Sequence, residues 1–139
     1  MKREVNVEWV DGIEFSADSD GHHIVIDGPP ESGGNNKGVR PKPLMLMALA
    51  GCTGMDVVSI LKKMKVNFEG LSIKVEGEME EEPPKAFLSM HIVYTFKGKD
   101  LPVDKLEKAI LLSKEKYCGV SATLQKAIPI TYEIKTTED

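Results

Sequence analysis

The sequence predicts an α+β fold with the element order βββ-α-ββ-α-α-β. Three observations lead there. Apolar and polar residues alternate with period two up to Asp27, and the alternation returns around Leu71, Leu88 and Ile130. An uncharged stretch, Leu44 to Cys52, opens a segment that is apolar nearly all round, as a buried helix is. Strands arrive in runs, with few pairs separated by a helical crossover, so the sheets are expected to be mostly antiparallel. At 139 residues the chain fits a single domain, 1–139, that can bury a core without disulfide or metal staples.

Val5, Val7 and Trp9 define the first strand, Asp11-Gly12 the turn, Phe15 and Ala17 the second, and His22 to Ile26 the third. Residues 28–43 read as a loop, because Gly28-Pro-Pro30, Gly33-Gly-Asn-Asn36 and Pro41-Lys-Pro43 resist regular structure. A connection of that length is expected to be mobile or functional. Pro41 and Pro43 can open the helix that runs on to Met64. Its apolar surface is more than one small chain can cover, so part of it is expected to meet a second subunit. Two long strands follow, with Leu71, Ile73 and Val75 on one face, then Leu88, Met90, Ile92, Tyr94 and Phe96 beyond the acidic turn Glu78–Pro84. A second helix starts at Pro102 with the stripe Val103, Leu106, Ile110 and Tyr117. Cys118-Gly119 interrupts it, Val120 to Ala127 resumes helix, and Ile130, Tyr132 and Ile134 close the fold.

Composition excludes some function classes. The 18 basic and 22 acidic residues give a net charge of −4, spread over both halves, which disfavours nucleic-acid binding. No apolar run reaches the roughly 20 residues of a membrane span, and the N-terminus lacks the apolar core of a secretory signal. A soluble, cytoplasmic protein is expected. In a reducing compartment its two cysteines, Cys52 and Cys118, are thiols. They cannot supply a four-thiolate metal centre, and His22-His23 lacks a third ligand at a useful spacing, so no metal is expected.

Cys52 lies in Gly51-Cys-Thr-Gly54, and two glycines in a helix interior cost about 0.5–1 kcal/mol each against Ala. They make sense where another element or a substrate must approach the sulfur. Asp56, four residues on, shares a helix face with Cys52 and needs a partner. Its charge alone would raise the pKa of a neighbouring thiol. Cys118 precedes Gly119 and a new helix start, where amide N–H groups favour a thiolate. Both cysteines can equally be read as small core hydrophobes. Sixty-six residues separate them, so only the fold can bring them together.

Taken together, Pro41-x-x-Leu44 leading into Leu49-Ala-Gly-Cys52-Thr, and Tyr117-Cys118-Gly-Val-Ser121, resemble the two cysteine motifs of the OsmC/Ohr family, the osmotically inducible and organic hydroperoxide resistance proteins. The element order matches over essentially the whole chain, and the Cys-Thr-Gly-Met-Asp continuation is similar to the OsmC-like branch. The resemblance implies an intertwined homodimer whose sheets wrap the long central helices. It also implies thiol-dependent reduction of organic hydroperoxides, with Cys52 as the attacking sulfur, Cys118 as its disulfide partner and an external dithiol as reductant. No cofactor and no metal are implied.

Both motifs depart from the family pattern. Pro41-Lys-Pro-Leu44 stands where Pro-Glu-Glu-Leu is usual, and Gly119 replaces a proline. The family pairs its thiolate with an arginine, and the chain has only Arg3 and Arg40. Arg40, in the loop before the helix, is the candidate for that role, with Asp56 as a further site residue. The competing reading is an OsmC-like protein without peroxidase activity that binds a small apolar ligand or a partner at the dimer groove.

Overall fold

A computed structural model describes all 139 residues, and its contacts group them into two compact units, Met1–Met45 and Leu46–Asp139. In the first unit, β1 (Asn6–Asp11), β2 (Glu14–Ser19) and β3 (His22–Ile26) form an antiparallel meander. Every β1 side chain is exposed, including Val7 and Trp9, the latter at 64%. Val5, Val7, Ala17, Ile24, Ile26 and Leu44 line an open apolar groove of about 300 Å³.

The loop after β3 is tied down rather than slack. Asp27 is buried, and its carboxylate accepts the backbone N–H groups of Gly28 at 2.7 Å and of Asn35 and Lys37 at 3.1 Å each. Val39 bridges back to Ile26 in parallel. Glycine is required twice, because a Cβ on Gly34 would lie 2.1 Å from the Gly28 carbonyl oxygen and one on Gly38 would lie 2.2 Å from that of Val25. Burial opposes ionisation of Asp27, but the N–H groups of Lys37, Gly28 and Asn35 and the Arg40 charge outweigh it and hold the carboxyl below its ordinary 3.8. A lowered pKa means the loop's stabilisation is complete above that ordinary value and is lost as pH falls through the folded value. Asp27→Ala is therefore expected to speed hydrogen exchange of the Gly28, Asn35 and Lys37 amides at neutral pH. Wild type should lose the same protection only in strong acid.

The second unit carries most of α1 (Pro41–Lys63), then β4 (Gly70–Met79), β5 (Phe87–Lys97), α2 (Val103–Leu112), a wide π-type turn (Ser113–Tyr117), α3 (Gly119–Leu124) and β6 (Ile130–Thr137). The element order is the predicted one. The sheet runs β4-β5-β6, with Val75 opposite Ile92 in the antiparallel pair. The expectation of antiparallel pairing needs one correction, since β6 joins β5 in parallel, Tyr94 opposite Ile134. The helices between these strands supply the crossover that a parallel pair requires.

Along α1 only Leu49, Thr53, Val57 and Leu61 are buried, an i, i+4 stripe one side chain wide. Leu49, Val57 and Leu61 pack into a core with Met90, Ile92, Tyr94, Phe96, Leu106 and Ile110. The rest of the helix stays apolar in the open, with Met47 at 51% and Met55 at 78% exposure. By length and hydropathy α1 does match a membrane span, contrary to the sequence expectation. Core helices pass the same length and hydropathy test, and α1 packs one stripe into the core with 22% of the apolar window buried. Leu88, Val103 and Tyr117, read as inward from their periodicity, are more than half exposed.

Candidate active site

The α1 helix and the π-type turn bring together three residues that the sequence singled out separately. Cys52 and Asp56 share a face of α1, and Cys118 caps the N-terminus of α3. Their Sγ atoms and a carboxylate oxygen all lie within 4.8 Å of one another. Both cysteines are free thiols, Cys52 half-buried and Cys118 only 2% exposed. A π-type turn leads into Cys118, closed by the i→i+5 bond from the Cys118 N–H to Ser113 O at 2.7 Å. Of the two flanking glycines, Gly54 packs closely, since a Cβ there would meet the tip of the Ile73 side chain, Cδ1, at 2.9 Å. Gly51 faces no atom of its own chain within 4 Å.

The helix-start argument for a Cys118 thiolate is overturned. The Ser121 N–H does donate to Cys118 Sγ, at 3.3 Å. Burial is the larger effect, however, and together with the hydrogen bond to Cys52 and the charges of Cys52 and Asp56 it pushes the Cys118 thiol up to about 11. One helical turn of six residues cannot offset that. Cys118 is a protonated donor facing Cys52 at neutral pH.

Asp56 finds its partner in a residue that the sequence reading missed. Ser113 Oγ donates to Asp56 Oδ2 at 2.9 Å. With that proton committed, Ser113 accepts from Thr53 Oγ1 at 3.0 Å, and Thr53 accepts from the Tyr94 hydroxyl at 2.7 Å. The result is a buried chain of hydroxyls, all donating toward one carboxylate. Burial, less the effect of the Thr53 hydrogen bond, pushes Tyr94 up to about 12, so it stays a donor. A signal was present: Ser113 falls on the stripe of Leu106, Ala109 and Ile110, and Thr53 on that of Leu49, Val57 and Leu61. A hydroxyl at such a position needs a buried partner.

Residues 34–133 match the OsmC-like protein family. The chain belongs to that family. Protein YhfA of Escherichia coli K12 is 38% identical over 130 residues, covering 93% of this chain and 94% of YhfA. The crystal structure of a hypothetical protein from Aquifex aeolicus VF5 is 31% identical, with a TM-score of 0.82 and 99% of each chain covered. The organic hydroperoxide resistance protein OhrB of Bacillus subtilis, at 19% identity, shares the fold with a TM-score of 0.62 over 97% of this chain and 98% of OhrB.

The resemblance implies Arg40 as the partner of the thiolate. The Arg40 guanidinium donates within its own loop, to Gly38 O at 2.9 Å, Asp27 O at 3.3 Å and Asn36 Oδ1 at 2.8 Å. It sits in the first unit, whereas Cys52, Asp56 and Cys118 are gathered in the second. Asp56 also lines an open groove of about 290 Å³ with Ser59, Ile60, Lys63, Leu112 and Tyr117. The groove offers both apolar side chains and a carboxylate that borders the two sulfurs.

Proposed function

We propose that this OsmC-like protein reduces organic hydroperoxides with Cys52 as the attacking sulfur and Cys118 as the resolving one. The observation that carries the reading is the approach of the two thiols and Asp56 to within 4.8 Å, across 66 residues of chain. The difference in exposure supports these roles, with Cys52 half-buried and Cys118 buried beside it as a protonated thiol. The Cys52 thiolate attacks the distal peroxide oxygen and becomes a sulfenic acid, while the O–O bond breaks and the alkoxide takes a proton to leave as an alcohol. The Cys118 thiol then condenses with the sulfenic acid, releasing water and forming a disulfide with an S–S bond of about 2.05 Å. An external dithiol returns both sulfurs to thiols by exchange. Ile60, Leu112 and Tyr117 offer apolar surface for the organic part of the substrate. The test is consumption of cumene hydroperoxide with dithiothreitol: one alcohol per dithiol oxidised is expected, and consumption no faster than in buffer contradicts the reading.

The same proposal includes a homodimer. Val7, Trp9, Met47 and Met55 leave more apolar surface exposed than a lone chain usually tolerates, and Gly51 is open to close approach. Sedimentation equilibrium at micromolar concentration is expected to give twice the 15.3 kDa chain mass. A mass equal to that of one chain rules the dimer out.

A further inference from the structure

We propose that Cys52, Cys118 and Asp56 also form a binding site for a thiophilic divalent cation of the zinc class, and that its occupancy switches off hydroperoxide reduction. The sequence reading assigned no metal because two cysteines cannot make a four-thiolate centre. Folding adds a third donor, a carboxylate from the neighbouring turn of α1, and gathers all three donor atoms within 4.8 Å.

Two sulfurs and one oxygen select zinc-like ions over magnesium or calcium, which prefer all-oxygen shells. Zinc bonds of about 2.3 Å to sulfur and 2.0–2.2 Å to oxygen place tetrahedral donors about 3.8 Å apart or closer. The donors therefore need to close by only about 1 Å, within the reach of side-chain rotation. Two of the three are already oriented by other groups, Asp56 by the Ser113 hydroxyl at 2.9 Å and Cys118 by the Ser121 N–H at 3.3 Å. On binding, both thiols release their protons to solvent, and two thiolates plus one carboxylate leave the loaded site with a net charge of −1. A zinc site with three protein ligands takes a water or another small ligand as its fourth. A cation there occupies both sulfurs, so neither can attack a peroxide or condense. That consequence rests on the peroxidase reading, but the binding does not.

The test is titration of the phosphine-reduced, full-length protein with Co²⁺ and then Zn²⁺. A thiolate-to-cobalt charge-transfer absorption is expected to saturate at one ion per chain and to bleach on adding Zn²⁺. Its absence in wild type overturns the site without recourse to any variant. In a chelating-dye competition, Cys52→Ser, Cys118→Ser and Asp56→Asn should each weaken Zn²⁺ binding by more than about 10-fold, the smallest usual cost of disturbing even a group that only orients a ligand. Binding unchanged in both cysteine variants places the ion elsewhere and overturns the proposal. In a single turnover of the reduced protein without added dithiol, one equivalent of zinc should block alcohol release from cumene hydroperoxide, with EDTA restoring it; a single turnover unaffected by saturating zinc overturns the switch. Thiolate-dependent metal binding by a protein that, metal-free, consumes no hydroperoxide upholds the site and overturns the peroxidase reading alone.

Discussion

Cys52→Ser is expected to lower kcat/KM for cumene hydroperoxide on the order of 10³-fold or more, because a serine hydroxyl cannot accept an oxygen atom and no other group takes its place. Cys118→Ser should fail differently. Its Cys52 can still take oxygen from one peroxide, so a burst of one alcohol per chain is expected, followed by slow turnover limited by direct reduction of the sulfenic acid. Dimedone should label Cys52 in that variant and not in wild type under the same conditions. Equal steady-state rates for the two variants and wild type would remove both sulfurs from the chemistry. The contrast also tests the assignment of roles, which rests on a half-buried Cys52 facing a buried Cys118 whose thiol is pushed up to about 11.

Thr53→Val is expected to destabilise the fold by about 2–4 kcal/mol, read as a fall in the urea midpoint at unchanged m-value. Valine has nearly the shape of threonine, so no cavity opens. What changes is that the Tyr94 hydroxyl loses its acceptor and Ser113 loses its donor, both within a core where every buried side-chain polar atom is otherwise partnered. Each orphaned group costs about 1–3 kcal/mol. Thr53→Ser keeps the chain of hydroxyls and should lose less than half as much. A Thr53→Val protein as stable as wild type would show that the hydroxyl chain contributes nothing net to folding.

Element order and both sulfurs were legible in the sequence because they rest on local signals. Period-two alternation, prolines before α1 and glycines beside the cysteines are all read within a few residues. The parallel pairing of β6 was not legible, since the direction of a strand depends on the path of the preceding helices rather than on its own pattern. The Cys118 pKa was misjudged for a related reason. Its cap position is local, but the effects that override it, burial first and then the Cys52 and Asp56 side chains of α1, exist only once the chain has folded. Ser113 and Thr53 stood in view on apolar stripes, yet two separate hydroxyls become one network only when α1 and the turn after α2 meet. Asp27 gave no signal, because three backbone N–H groups from its own loop are its partners and backbone carries no sequence.

Arg40, the cation that the resemblance implies for the thiolate, belongs to the first unit, and the gathered residues belong to the second. Arg40 donates to its own loop, and a carboxylate with a hydroxyl chain behind it borders the sulfurs instead. The proposed resolving thiol is protonated in such a site, and the same donor set underlies the proposed competition from a thiophilic cation.

The most direct test of the central claim is to treat the fully reduced protein with one equivalent of cumene hydroperoxide, without reductant, and map its peptides by mass spectrometry. A single intrachain disulfide joining Cys52 to Cys118, with one alcohol released per chain, is the predicted result. Two intact thiols, or Cys52 carried on to sulfinic acid while Cys118 stays free, would contradict it.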